Sequence, residues 1–247
     1  MKYNVIKAQF IERINRFVAI VAINGVKAKA HVPNTGRLTE LFVFGAICYV
    51  QKSNNPQRKT KYSLIAIEKE GRVFNIDSQG PNKILYNALI NTKETNFNIP
   101  SSFTKELPDI MGSFDVLKRE VTYQRSRFDL YFKDTLNNRE GFIEVKGVTL
   151  EKENIASFPA SPTIRGQKHL DELIDAKKKG YDSFVVFIIQ FMNPIKFTPC
   201  WDIDPVFSEH LVQAQESGVH ILAYDTIVKP DSMKLNRRIP IDLRRKS

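Results

Sequence analysis

Glu144 and Lys146 stand two residues apart inside an apolar run, Gly141-Phe-Ile-Glu-Val-Lys-Gly-Val-Thr-Leu150. A β-strand turns successive side chains to opposite faces, so the two charges share a face with Phe142 and Val148. Charges in an apolar strand are unfavourable unless they pair or bind something. A carboxylate for a divalent cation, with a lysine beside it for a nucleophile or a phosphate, is half of a metal-dependent nuclease site. The other half lies upstream, where Arg127-Phe-Asp-Leu-Tyr-Phe132 reads as a second strand and the turn-rich Asp134–Gly141 segment joins the two as a hairpin. With the turn centred on Asn137-Asn138, Asp129 lies opposite Lys146 and diagonal to Glu144. A slip of two residues sets it directly opposite Glu144. Either neighbour, roughly 5 to 8 Å away, lets two carboxylates share one cation.

The cation expected is Mg²⁺ or Mn²⁺, held by one or two carboxylates with water and substrate phosphate completing the shell. Asp129 and Glu144 are its expected ligands, with the backbone carbonyl of Val145 as a further one. Lys146 is expected to orient or deprotonate the attacking water, or to stabilise the charge of the phosphorane. The competing reading is an ordinary cross-strand Asp–Lys salt bridge. A Glu-x-Lys string alone is common on exposed strands; the aspartate on an apolar partner strand makes the chemical reading competitive.

A second signature leads into the helix that follows: Phe158-Pro-Ala-Ser-Pro-Thr-Ile-Arg-Gly-Gln-Lys-His-Leu170. Thr163 suits an N-cap. Arg165 and Lys168 fall in or near the first turn, where the helix dipole disfavours cations, so an external anion explains them better than helix stability does. Two solvated helix-face charges are the alternative. Both residues are expected to grip a phosphate beside the metal strand.

Two groups of elements must position these residues. The first eighty residues read mostly as strands: Arg16–Ile23, Val26–Val32, Ala46–Lys52, Tyr62–Glu68 and Arg72–Ile76, with turns at Asn24-Gly25 and Glu70-Gly71 and a short helix over Arg37–Phe42. Five short strands suit a small closed barrel of the OB type. Arg37, Arg58 and Lys59 lie near its turns or strand ends and are the expected DNA contacts. From Pro81 the order is helix (81–90), three strands, helix (166–179), strand (184–190), helix (205–216), strand (219–224), an α/β layered arrangement. The expected division is therefore 1–80 and 81–247. Residues 91–114 are polar and assigned no element, and the tail from Arg237 is basic and expected to be mobile.

The chain has 247 residues, a net charge of +10 and a hydrophobic fraction of 42%, enough for a core and favourable to a polyanion partner. No apolar run is long enough to span a membrane and no signal-peptide pattern opens the chain. Cys48 and Cys200 provide no disulfide framework, and His31, His169, His210 and His220 lack metal spacing. A reducing cytoplasm, DNA as partner and no membrane association are the expectations; no organic cofactor is expected.

Several strings in order resemble the sugar fermentation stimulation protein (SfsA) family over nearly the whole chain. They are His31-Val-Pro-Asn-Thr-Gly-Arg-Leu38, Ser126-Arg-Phe-Asp129, Ile143-Glu-Val-Lys-Gly-Val-Thr-Leu150, Phe158-Pro159, Thr163–Leu170 and Ile203-Asp-Pro205. The resemblance implies an N-terminal OB-like five-stranded β-barrel and a C-terminal α/β domain of the PD-(D/E)xK nuclease fold. It places Asp129, Glu144 and Lys146 on the nuclease positions and Glu120 as an accessory carboxylate. It also implies DNA binding and a role in regulating sugar (maltose) metabolism genes. One departure stands out: Ala160 occupies the position after Phe158-Pro159 where the family usually has Asp. Three functions compete. One is a metal-dependent deoxyribonuclease. Another is a non-catalytic DNA-binding regulator on an inherited nuclease fold. The third, a nucleotide- or RNA-processing factor, lacks a phosphate-binding glycine loop and an RNA-recognition motif.

Overall fold

The computed structural model describes residues 1–55, 57–91 and 113–245. Six strands open the chain: β1 (Val5–Asn15), β2 (Val18–Ile23), β3 (Val26–His31), β4 (Ile47–Lys52), β5 (Tyr62–Lys69) and β6 (Arg72–Asn75). The first five close in the order β1-β2-β3-β5-β4 and back to β1, with β3 and β5 the parallel pair that seals the ring. Five strands thus make the barrel, but not the five expected. β1 was absent from the expectation, and β6 lies outside the ring as the hairpin partner of β5. Bulges between Phe10 and Glu12 and between Arg13 and Asn15 break the alternation of β1, which explains why its pattern does not read as a strand. The turns at Asn24-Gly25 and Glu70-Gly71 form with positive φ at both residues of each pair. No helix forms over Arg37–Phe42; Leu38 adopts φ 52° and the chain closes into turns instead.

Helix α1 (Gly80–Asn91) leaves the barrel and crosses the second sheet. That sheet is built from β7 (Val116–Tyr123), β8 (Ser126–Asp134), β9 (Arg139–Val148), β12 (Asp182–Ile189), β14 (His220–Lys229) and β15 (Ser232–Arg238), in the order β15-β14-β12-β9-β8-β7. The parallel strands β9, β12 and β14 form its centre. Between them run β10 (Leu150–Lys152), β11 (Ile155–Phe158) and β13 (Lys196–Pro199), a separate three-stranded sheet. The helices α2 (Ile164–Lys178) and α3 (Pro205–Glu216) complete the layers.

The central strands are buried on both faces. Ile84, Leu85 and Leu89 of α1 pack with Leu130, Ile143, Val145 and Phe184, whereas Leu170 and Leu173 of α2 join Phe128, Phe142 and Phe187 in a core that continues into the barrel. The barrel is also tied to the sheet by polar contacts. Gln190, fully buried, donates to the Asn75 side chain and the Asp77 carbonyl, and Glu151 pairs with both Lys69 and Arg72 of the barrel. The tail expected to be mobile is packed: Ile241 bridges Phe197, Asp242 pairs with Lys196 and Leu243 is buried. The polar stretch 91–114 lies for the most part outside the described residues.

Asp204 explains the Ile203-Asp-Pro205 string structurally. Its buried carboxylate caps α3 through Phe207 N–H (2.9 Å), accepts Thr163 N–H at the start of α2 (2.7 Å) and accepts Gln167 Nε2 (3.0 Å). Asp204→Ala would remove a cap and strand two further donors, and is expected to lower stability by about 2–4 kcal/mol in urea denaturation. A loss below about 0.5 kcal/mol, the range of an ordinary surface substitution, would refute this role.

Candidate active site

The β8–β9 hairpin decides the register that the sequence left open. Asp134 pairs with Arg139 and Leu130 with Ile143, a register that, continued one step beyond the last pair of the ladder, sets Asp129 level with Glu144. The slipped alternative is the one adopted. The turn spans residues 135–138 rather than centring on Asn137-Asn138, because the Asp134 carboxylate accepts the Asn137 N–H (3.1 Å) and its side-chain Nδ2 (2.7 Å), with Asn138 at φ 51°.

Around Asp129 the strand is irregular. Phe128 packs on the α2 side against Phe142 and His169, while Leu130, of the same parity, packs on the α1 side with Ile143. Alternation is therefore broken at Asp129, and on the neighbouring strand Glu120 adopts φ 55°. Such irregularities re-aim side chains next to functional sites. The Asp129 carboxylate accepts Asn82 Nδ2 of α1 (2.5 Å) and the backbone N–H of Val145 (2.8 Å). Helix α1 can reach it because Gly147 leaves room: a Cβ there would stand 2.9 Å from Pro81 Cγ and 2.6 Å from Gln190 Oε1.

Glu144 is 4% exposed. Its Oε1 receives Lys146 Nζ at 2.6 Å and His169 Nδ1 at 2.5 Å, whereas its Oε2 is buried without a partner among the described residues. Arg165 Nε donates to His169 Nε2 (3.3 Å), so the ring hydrogen sits on Nδ1 and points at Glu144. Burial pushes the Glu144 carboxyl up, but Lys146 and His169 together outweigh it and hold it below its ordinary value. Asp129 goes the other way: burial, and then the Glu144 charge, raise it to about 6.

The hairpin thus brings Asp129, Glu144 and Lys146 together, with Val145 between them. Asn82 and His169 belong to the same cluster and were not singled out by sequence reasoning. His169 did carry a signal, one helical turn after Arg165 in the Thr163–Leu170 string; Asn82 carried none beyond its place at a helix start. Arg165 is exposed and reaches the cluster through His169. Lys168 instead holds the Arg125 carbonyl (2.8 Å) and lies 3.6 Å from Glu172. Glu120 pairs with Arg127 at an exposed position. Arg37, Arg58 and Lys59 are exposed on the barrel and have no carboxylate partner among the described residues. Ala160 lines a cleft between the barrel and this sheet.

Two carboxylates, one pushed toward protonation and the other with a buried orphan oxygen, form a hard-oxygen donor set in which Lys146 pairs with Glu144 and no cation pairs with Asp129 among the described residues. No group of three His, Cys, Asp or Glu side chains forms a ligand cage among the described residues. A cation taking few protein ligands and several waters fits such a set; a closed structural metal site does not.

A closed five-stranded OB barrel joined to a mixed α/β sheet defines the class of protein. The chain belongs to the sugar fermentation stimulation protein (SfsA) family: residues 11–76 match the SfsA N-terminal OB domain and 79–232 the sugar fermentation stimulation protein RE domain. It is 44% identical over 249 aligned residues to a sugar fermentation stimulation protein homolog of Alkaliphilus oremlandii, covering 99% of this chain and 100% of that one. A homolog from Clostridium botulinum (strain Hall) is 45% identical over 241 residues, 97% of this chain and 98% of the relative. The structure of Pyrococcus furiosus SfsA in complex with Ca²⁺ superposes with a TM-score of 0.82 at 29% identity, covering 98% of each chain.

Proposed function

We propose that this protein is a divalent-metal-dependent nuclease that binds DNA and hydrolyses its phosphodiesters. The carrying observation is the convergence of Asp129, Glu144 and Lys146, with Glu144 Oε2 buried and unpartnered beside a second carboxylate that resists ionisation. In this reading Asp129 and Glu144 hold the metal, Mg²⁺ or Mn²⁺, with the Val145 carbonyl available as a further ligand. The Ca²⁺ in the similar archaeal structure supports a divalent cation in this family. When bound, such a cation polarises a phosphate and acidifies water.

The protein's own groups do the rest. Lys146 Nζ, 2.6 Å from Glu144, sits where it can orient the attacking water or balance charge on the phosphorane. His169 fixes the Glu144 carboxylate and couples it to Arg165, which stands at the start of α2 and contacts the substrate phosphate. The net charge of +10 and the exposed Arg37, Arg58 and Lys59 supply the attraction for a polyanion. The barrel (1–80) would then hold DNA for the α/β unit (81–247), in the cytoplasm.

The test is incubation of the purified protein with labelled linear, circular and single-stranded DNA in Mg²⁺, Mn²⁺ or EDTA. Cutting in metal and none in EDTA is expected. A retarded but uncut band under every metal would overturn catalysis and leave a DNA-binding regulator on an inherited nuclease fold.

A further inference from the structure

The barrel turns one edge toward the active site, and that edge is built around an arginine. Arg13 donates to the carbonyls of Asn15 (3.2 Å), Arg16 (2.7 Å), Asn34 (2.7 Å), Gly36 (2.5 Å) and Arg37 (2.8 Å). One guanidinium thus cross-links the β1–β2 turn to the loop that follows β3. Its donors go to neutral carbonyls, so no carboxylate cancels its charge. Arg16 and Arg37 are exposed on the two segments it joins and likewise have no acidic partner among the described residues. Next to Arg16, Phe17 is 47% exposed, with the Arg16 guanidinium 5.6 Å from its ring centre.

The same loop forms one wall of a cleft of about 180 Å³. Asn34, Thr35 and Gly36 face Ser157–Ser161 and Gly147, the residue next to Lys146. The cleft therefore runs from the edge of the nuclease strand to the Arg13-clamped segments. We propose that this edge is a track for single-stranded nucleic acid, with Phe17 stacking a base and Arg16 and Arg37 holding its phosphates. The inference deepens the nuclease reading and rests on it for where the strand leads.

Two features favour one strand over a duplex. An open aromatic face beside guanidinium groups free of carboxylates is the combination that sequence-tolerant single-strand binding uses. The β1–β2 connection of an OB barrel is also one of the two loops that flank its ligand face. The clamp holds both segments in place before the strand arrives, so little ordering remains to oppose binding.

The test is fluorescence anisotropy of the full chain, in EDTA, with a labelled single-stranded oligonucleotide and with the same sequence as a duplex. The single strand is expected to bind more tightly. Phe17→Ala should weaken it roughly 5- to 100-fold. Arg37→Ala should make the salt slope shallower by about 0.7, because one phosphate fewer is neutralised. A rise in melting temperature on adding excess divalent cation is expected of the unaltered protein and should survive both changes, which would show that the fold and the metal site are intact. Equal affinity for the duplex, or single-strand binding untouched by both variants, would overturn the track. Failure of the nuclease reading looks different: no DNA is cut in any metal, yet Phe17→Ala still loses single-strand binding.

Discussion

Lys146→Ala is expected to slow metal-dependent DNA cutting by about 10²- to 10⁴-fold, the range for loss of a positioned acid–base or charge-stabilising group. The side chain is 13% exposed and its ammonium lies 2.6 Å from Glu144, so water cannot substitute freely for it. Its removal leaves Glu144 with His169 as sole partner and raises the cost of keeping that carboxylate ionised. A bound cation supplies a replacement charge, so the loss at saturating metal should fall on kcat with KM little changed. DNA retention in EDTA should persist, because it depends on the arginines and lysines of the barrel. Single-turnover kinetics at several metal concentrations decide the matter. A variant that cuts at the wild-type rate removes Lys146 from the chemistry and returns it to a salt bridge.

Asp129→Asn should give a protein that is more stable and inactive. Burial and the Glu144 charge raise the Asp129 carboxyl from 3.8 to about 6. Between those two values the folded chain binds more protons than the unfolded one, so stability falls as pH rises through the window. The penalty is fully present at pH 7, of order 1–3 kcal/mol for a mostly buried group. Asparagine removes it. Its carbonyl can still accept the Val145 N–H, and the Asn82 amide can reverse to accept the new Nδ2 hydrogens. Urea denaturation in EDTA should therefore show a gain at pH 7 that disappears toward pH 4. Excess divalent cation should invert the order, because ligand binding stabilises only the chain that keeps both carboxylates. No gain at pH 7, or an equal metal response in both proteins, would contradict the assignment of Asp129. Such a trade between stability and function is common where a site gathers like charges.

Much of this arrangement was legible one residue at a time. Glu144 and Lys146 share a face because strand geometry requires it, and the apolar residues around them marked their charge as out of place. Helices starting near Pro81 and Pro205 and ending near Gly180 and Gly218 follow from local rules of capping and backbone freedom. The barrel was readable as a class because turns at Asn24-Gly25 and Glu70-Gly71 separate short alternating segments. β1 was not readable, since two bulges interrupt its period.

What escaped the sequence depends on segments that meet from far along the chain. The register of the β8–β9 hairpin turned on one carboxylate, Asp134, capping its own turn; two residues of slip decide whether Asp129 meets Lys146 or Glu144. His169 reads as an ordinary helix residue until α2 folds over β9 and brings Nδ1 to 2.5 Å from Glu144. Asn82 lies 47 residues from Asp129 and meets it only because Gly147 lets α1 cross β9 closely. Arg13, one charge on a strand, becomes a clamp only when the loop after β3 returns beside the β1–β2 turn. The sequence by itself determined which groups could do chemistry, because residue type and local periodicity are properties of neighbours in the chain. Tertiary structure alone decided which of them meet, because burial, pairing register and the field each charge feels are set by segments far apart in sequence.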